Sequence, residues 1–259
     1  MSRISKLFER KPSRVLSVYC TGGYPQLGST VQVMHSLATH GADMIEIGMP
    51  YSDPLADGPV IQESSAIAIK NGITIRILFD QISQFRASTQ HDELPIILMG
   101  YLNPVMQYGF ERFCIDAAAA GVDGLILPDM PMNEFKNEYK GIVKSAQLDF
   151  VFLATPETSD SRLRSIDELS SGFLYAVSSS STTGNTVFQT NEAYLRRLKE
   201  SNLKNPVMVG FGIAKKEDFD TVCQYVRGAI VGSAFIRSFS RDIPIENSVK
   251  QFLQRLLHH

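Results

Sequence analysis

Pro206-Val207-Met208-Val209-Gly210 and Gly228-Ala229-Ile230-Val231-Gly232 are two short apolar runs, and residues 215–226 between them mix charged and apolar side chains at helical spacing. Neither run alternates with polar residues, so each is expected to be covered on both faces. Two strands joined by a helix-length crossover lie parallel, because a tight turn can join only antiparallel neighbours. The pattern extends outward through the chain. Further strand-like runs occupy residues 15–20, 42–48, 95–100, 122–127, 150–154 and 172–178, which makes eight. Helical patterns occupy 30–40, 110–120, 133–146 (with Asn133 as cap), 163–169, 191–200 and 245–257. The last of these sets Val249, Phe252, Leu253 and Leu256 on one face. Eight strands alternating with helices predict an α/β fold, a (β/α)8 TIM barrel rather than an open doubly wound sheet. Residues 1–14 read as an extra N-terminal helix closing the barrel bottom, and residues 73–85 as an added helix after strand 2. No Pro/Gly/Ser-rich linker divides the chain, so residues 1–259 are expected to form one barrel domain, a fold that typically takes about 250 residues.

Composition narrows the function classes. The formal net charge of −2 lacks the basic excess of a nucleic-acid binder or a polybasic membrane binder. The apolar runs are far shorter than the roughly 20 residues that span a bilayer. The polar, basic start does not read as a signal peptide. Three cysteines (Cys20, Cys114 and Cys223) without CxxC spacing point to a reducing, cytoplasmic setting and read as small buried hydrophobes. None of the five histidines has zinc-ligand spacing, so no metal is expected. His258 and His259 read as a solvated tail.

Barrel active sites lie at the C-terminal ends of the strands. In the second run Met44, Glu46 and Gly48 share one face and Ile45 and Ile47 the other. If the isoleucines meet the helices, Glu46 points into the barrel, where a carboxylate is either paired structurally or used in chemistry. The loop that follows carries Asp57 among prolines. The pair Glu46 and Asp57 is thus a candidate for two carboxylates over one cavity, although Asp beside Pro and Gly also suits a turn. Glycine-bearing turns follow the last three strands: Gly184, then Gly210 and Gly212, then Gly232 before Ser233. Such turns let backbone N–H groups approach an anion, and they also serve plain turn geometry. Residues 178–190, rich in Ser and Thr, suit a lid or an ordinary connection. Lys215 and Lys216 are placed to touch phosphate or to solvate a helix start. No GxGxxG or GxxxxGK occurs, so no dinucleotide or Walker-type site is indicated.

The string Glu46-Ile47-Gly48-Met49-Pro50-Tyr51-Ser52-Asp53-Pro54-Leu55-Ala56-Asp57-Gly58-Pro59 resembles the signature of tryptophan synthase alpha subunits. Thr21-Gly22-Gly23-Tyr24-Pro25, Tyr101-Leu102-Asn103-Pro104 and Leu127-Pro128-Asp129-Met130-Pro131 resemble it too, each after its own strand. The resemblance covers the whole chain. It implies retro-aldol cleavage of indole-3-glycerol phosphate to indole and glyceraldehyde 3-phosphate, within tryptophan biosynthesis. It also implies a beta-subunit partner in an alpha2-beta2 assembly, with pyridoxal phosphate in that partner and no cofactor in this chain. It makes Glu46 and Asp57 catalytic, places Tyr19, Tyr101, Leu127, Tyr175 and Phe211 at the indole and glyceryl groups, and sets Thr183, Gly184, Gly212, Gly232 and Ser233 at the phosphate. Asp53, Pro54 and Leu55 would meet the partner. The chain departs from the family pattern where Ser179, Ser181 and Thr182 replace arginine, glycine and valine, and where Tyr19 replaces a common phenylalanine. The altered loop leaves room for a weakly catalytic regulatory subunit that activates the beta chain. A stand-alone indole-producing lyase and another phosphosugar enzyme on the same barrel are further readings.

Overall fold

The structure is a computed structural model and describes residues 1–54, 57–88, 91–177, 192–210, 212–240 and 242–257. Nine strand segments form one parallel sheet: β1 Val15–Thr21, β2 Met44–Gly48, β3 Ile96–Met99, β4 Gly124–Ile126, β5 Asp149–Val151, β6 Leu153–Ala154, β7 Leu174–Val177, β8 Val207–Gly210 and β9 Gly228–Val231. Hydrogen-bonded neighbours run β5-β4-β3-β2-β1-β9-β8-β7-β6. β5 and β6 are consecutive in the chain, separated only by Phe152. They are one stave, which pairs with β4 through its first half and with β7 through its second. The Tyr175 amide donates to the Phe152 carbonyl at 3.2 Å, which continues the ladder across the break. The expected eight-stranded barrel is therefore present, with its fifth stave split in two.

Two apolar layers account for this shape. Ile45, Ile47, Leu98, Leu125, Ala176, Val209 and Val231 face outward and pack against the helices. Met44, Ile97, Ile126, Val151, Tyr175, Met208 and Ile230 face inward and fill the barrel. Strands apolar on both faces are what such double coverage demands. Helix α1 (Arg3–Arg10) is capped by Ser2, whose hydroxyl accepts from the Ser5 amide at 3.2 Å, and it drives Ile4, Leu7 and Phe8 into the inner layer from below. This is the expected plug of the barrel bottom. Helix α2 is Ser29–His40, and the added helix after β2 is present as α4 (Ile75–Ala87), capped by Thr74.

Several elements depart from the pattern. Helix α3 (Pro59–Lys70) precedes α4 and was not expected. Its signal is Pro59 at the first helical position behind Gly58, with Ile61, Ser64, Ser65 and Ala68 on the buried face. A short α5 (Leu102–Tyr108) precedes α6 (Phe110–Ala120). The helix expected to begin on an Asn133 cap instead starts at Met132 behind extended Pro131, with no side-chain cap bond. It runs through α7 (Met132–Glu134) and a π-helical turn over Phe135–Tyr139 into α8 (Lys140–Ser145). The turn places the Phe135 ring 4.2 Å from that of Phe150. Then follow α9 (Asp160–Leu169), α10 (Glu192–Glu200), α11 (Lys216–Cys223), the four-residue α12 (Ser233–Ile236) and α13 (Ile245–Leu257). No helix among the described residues is long and apolar enough to cross a membrane. Cys20 and Cys114 are buried, Cys223 is half-buried, and all three are free.

Candidate active site

Alternation along β2 turns Glu46 inward, as expected, and its side chain is 1% exposed. One carboxyl oxygen, Oε2, has no hydrogen-bond partner among the described residues. A buried carboxylate without a partner resists ionisation, because water no longer solvates its charge. Burial, reinforced by the negative field of Asp57, raises the Glu46 pKa to about 8. Glu46 is therefore a carboxylic acid at neutral pH, with a proton to give.

Asp57 comes from the loop between β2 and α3 and faces the same mouth. The Tyr101 hydroxyl donates to its Oδ2 at 3.0 Å. Gln62 Nε2, one turn into α3, donates to its backbone carbonyl at 2.7 Å. Burial raises the Asp57 pKa while the Tyr101 hydrogen bond opposes the rise. Asp57 thus carries the partner that Glu46 lacks, and the two acids are held in unequal environments. Tyr101 is itself fixed by ring contact with Tyr51, 5.5 Å between centroids, and the Asn103 amide donates to the Tyr51 hydroxyl at 3.0 Å.

Two phenols complete the cavity wall. Tyr19 on β1 is the in-register neighbour of Glu46, so both side chains project to the same face. Its ring leans toward the strand top over Gly48: a Cβ there would lie 1.9 Å from the Tyr19 hydroxyl. Tyr175 on β7 does the same over Gly210, where a Cβ would lie 2.1 Å from its hydroxyl. Both contacts are far inside van der Waals range, so these strand-top positions admit no side chain while the phenols stay in place. Burial holds both phenols neutral, their pKa values well above the ordinary tyrosine range.

Gly232 follows β9 and heads α12. A Cβ on it would touch the Tyr19 side chain at 3.4 Å. β9 and β2 both flank β1, so Gly232 stands two strand spacings, about 10 Å, across from the Glu46 strand. The Ile236 and Arg237 amides bond back to the Gly232 and Ser233 carbonyls at 3.0 Å. The N–H groups of the first turn have no acceptor within the helix and point toward the mouth end of the strand.

The family model described as tryptophan synthase alpha chain matches residues 6–258. The chain belongs to the tryptophan synthase alpha chain family. It is 51% identical over 245 residues to the tryptophan synthase alpha chain of Flavobacterium johnsoniae, covering 93% of this chain and 95% of that one. It is 45% identical to that of Parabacteroides distasonis, covering 99% of both. Among solved structures, the tryptophan synthase alpha chain of Legionella pneumophila superposes with a TM-score of 0.87 at 34% identity, covering 99% of this chain and 96% of that one. A structure of Mycobacterium tuberculosis tryptophan synthase superposes at 0.88 with 31% identity, covering 98% and 96%.

Of the residues expected at the site of this tryptophan synthase alpha chain relative, the structure gathers Glu46, Asp57, Tyr19, Tyr101, Tyr175 and Gly232 at one mouth. Ser233 is half-buried beside Gly232, and Gly212 is exposed in the turn after β8. Leu127, expected at the indole group, is buried and packs instead in the outer layer with Leu98 and Met130, because alternation along β4 turns Ile126 inward and its neighbours outward. Asp53 is exposed and accepts from the Ser52 hydroxyl at 2.5 Å, and Pro54 is half-buried on the same loop. Leu55, Thr183, Gly184 and Phe211 lie outside the described residues, as do the proposed lid and the terminal histidines. Lys216 is paired with Asp220 at 2.6 Å on the face of α11, and Lys215 lies 4.0 Å from Glu217, which fits a solvated helix start. No cluster of three or more His, Cys, Asp or Glu suited to a metal occurs among the described residues. Sequence reasoning missed Val60 and Ile61, which join the inner layer from α3, and also Thr21 and Ser64, whose hydroxyls meet at 2.7 Å. The apolar residues were missed together with α3. The Thr21–Ser64 contact had no sequence signal.

Proposed function

We infer that this chain cleaves indole-3-glycerol phosphate to indole and glyceraldehyde 3-phosphate, a carbon–carbon lyase reaction, and hands indole to a beta subunit for tryptophan synthesis. One observation carries the reading at the level of chemistry: a buried, unpartnered carboxylic acid, Glu46, facing a hydrogen-bonded one, Asp57, across one mouth. The carbon–carbon bond breaks only if the indole ring can receive its electrons. Glu46, protonated at rest, gives its proton to the indole carbon that bears the glyceryl chain, and the positive charge is shared with the ring nitrogen. The Glu46 carboxylate then removes the proton of the adjacent glyceryl hydroxyl. The aldehyde C=O forms as the bond breaks, the bond electrons restore the indole, and Glu46 ends protonated as it began.

Asp57 accepts the ring N–H and opposes the charge that develops there, and the Tyr101 hydroxyl holds it in position. Tyr175 sits beside the glyceryl chain. The amides of Gly232 and Ser233, with those of Gly212, Thr183 and Gly184, receive the phosphate, and Phe211 helps enclose the ring. Phosphate bound at one rim orients the reacting carbons at the other. We take residues 1–259 as one functional unit acting in the cytoplasm without a cofactor of its own. Pyridoxal phosphate is assigned to the beta subunit, which would meet Asp53, Pro54 and Leu55 in an alpha2-beta2 assembly.

Indole release from indole-3-glycerol phosphate, measured with and without a beta subunit, tests the reading. Cleavage stimulated by the partner is the expected result, and activation of the partner with no cleavage in either state would leave only a regulatory role. Two substitutions separate the parts of the site. Asp57→Asn keeps the shape and the Tyr101 contact but removes the charge; kcat falls by about 10²-fold with KM changed much less, the pattern of lost transition-state charge stabilisation. Gly232→Asp sets a carboxylate where the phosphate docks. KM rises by about tenfold or more, the cost of a like charge near 4–6 Å, with kcat less affected.

A further inference from the structure

A groove of about 490 Å³ opens at the bottom of the barrel, where the chain enters β8 and β9. The end of α10, the turn before β8 and the link from α11 to β9 form its walls. Three charged side chains line it, Lys199, Lys204 and Arg227, and all are cations. None of them makes an ion pair among the described residues. On a chain of net charge −2 this is a local reversal of sign. The acids of the surrounding elements are engaged elsewhere. Asp220 accepts from Arg14 at 2.7 Å and from Lys216 at 2.6 Å, and Asp43 accepts from Lys11 at 2.6 Å. Asp167 is buried and takes the amides of Lys204 at 2.6 Å and Asn205 at 3.0 Å, which fixes the turn that carries Lys204. Asp167 and Glu200 line the adjoining groove beside α9, not this one.

Neutral groups hold two of the three cations. Lys199 Nζ donates to the Gln224 carbonyl at 3.1 Å and stands 5.7 Å from the centre of the Tyr225 ring. An Arg227 guanidinium nitrogen donates to the Pro12 carbonyl at 2.8 Å. A carbonyl takes one hydrogen; it leaves the positive charge in place and the other N–H donors over. Side chains already held in this way lose little freedom when they meet an anion. Lys204 makes no side-chain hydrogen bond among the described residues and is free to turn to a ligand. Several N–H donors on cations suit a phosphate group best, because its oxygens accept more than one charge-assisted hydrogen bond each. Three cations exceed the charge of a single phosphate monoester and match that of a diphosphate. We propose that this groove binds a small molecule carrying a diphosphate group, held by Lys199, Lys204 and Arg227. It is a second site, apart from the catalytic mouth. Gly232 follows β9, whereas Arg227 precedes it, and the four residues of β9 between them rise about 13 Å.

Inorganic pyrophosphate is the probe, and backbone amide NMR of the isotope-labelled full chain, at an ionic strength held constant with sodium chloride, reads where it binds. Saturable shifts are expected at Leu203, Lys204, Gln224 and Arg227, with a Kd below about 1 mM. Lys204→Ala and Lys199→Ala should each weaken this binding by about fivefold, the upper range for one exposed charge pair. Lys204 has no side-chain bond to lose, so the fold of its variant is expected to be intact, and an unchanged urea midpoint checks this. Gly232→Asp, which blocks the phosphate position at the mouth, should leave the groove shifts in place. Orthophosphate in the same titration separates the two sources of phosphate. Binding weaker than that of pyrophosphate by about fivefold or more supports a diphosphate ligand, and equal binding overturns that assignment. Shifts that do not saturate, that sodium chloride alone reproduces, or that both lysine variants leave unchanged overturn the site itself. The titration uses no substrate and no turnover, so it stands or falls separately from the cleavage reaction.

Discussion

Glu46→Gln lowers kcat by about 10²–10⁴-fold, the range expected when proton transfer by a positioned acid is lost. Glutamine keeps the shape of the side chain, so substrate still binds and KM changes little; rapid-quench or steady-state assay of indole release reads the loss. In the wild type kcat/KM falls as pH rises through about 8, where the acid loses its proton. The same burial has an opposite sign for stability. A carboxyl whose folded pKa stands above its ordinary 4.5 holds a proton that the unfolded chain has released, so its contribution to stability falls as pH rises from about 4.5 to about 8. Glu46→Gln removes that fall. Urea unfolding at pH 8.5 or above is expected to show the inactive variant as more stable than the wild type, with little difference at pH 5. A variant with near-normal turnover would remove Glu46 from the chemistry.

Asp123→Ala gives the largest loss of stability expected from a single polar side chain. Asp123 enters β4 at the barrel bottom, buried, and accepts from the Ile96 amide at 2.8 Å, from Arg86 at 2.8 Å and from Arg3 at 2.9 Å. Arg86, also largely buried, donates to the carbonyls of Gly121 at 3.0 Å and Leu94 at 2.8 Å, and burial lowers its pKa to about 10 against the support of Asp123. One carboxylate thus binds α1, α4 and the start of β3 to β4. Its removal leaves a buried guanidinium without its counter-charge and the Ile96 amide without an acceptor, costing about 3–5 kcal/mol. The urea midpoint at pH 7 should fall accordingly with an unchanged m-value. Asp123→Asn, which keeps acceptor capacity and loses charge, should lose clearly less. Equal losses in the two would show that the charge contributes nothing.

The two predictions sit at opposite ends of the barrel and were not equally visible in the sequence. Glu46 was legible because its signal is local: one charge in an apolar run, with the alternation of a strand to say which way it faces. Asp57 was legible as a loop acid near that strand, but its tie to Tyr101 spans 44 positions, and no short-range pattern specifies it. Asp123 drew no notice, because an aspartate at the start of the strand-like run 122–127 resembles any strand-end residue until Arg3 and Arg86 arrive from 120 and 37 positions away. Helix α3 was passed over because polar Ser64 and Ser65 occupy its buried face, where an apolar stripe is the usual signal.

Strand number, parallel direction, the N-terminal plug and the inward aim of residue 46 were set by the sequence alone, since each rests on side-chain periodicity over a few residues. Only the tertiary structure decided that the fifth stave breaks at Phe152 and still closes the ring, that Gly48 and Gly210 are bare so that two phenols can lie over them, and that the Thr21 and Ser64 hydroxyls meet. These depend on which groups the closing barrel presses together in a space without water. There a hydroxyl must take whatever partner the packing supplies, and distance along the chain carries no weight.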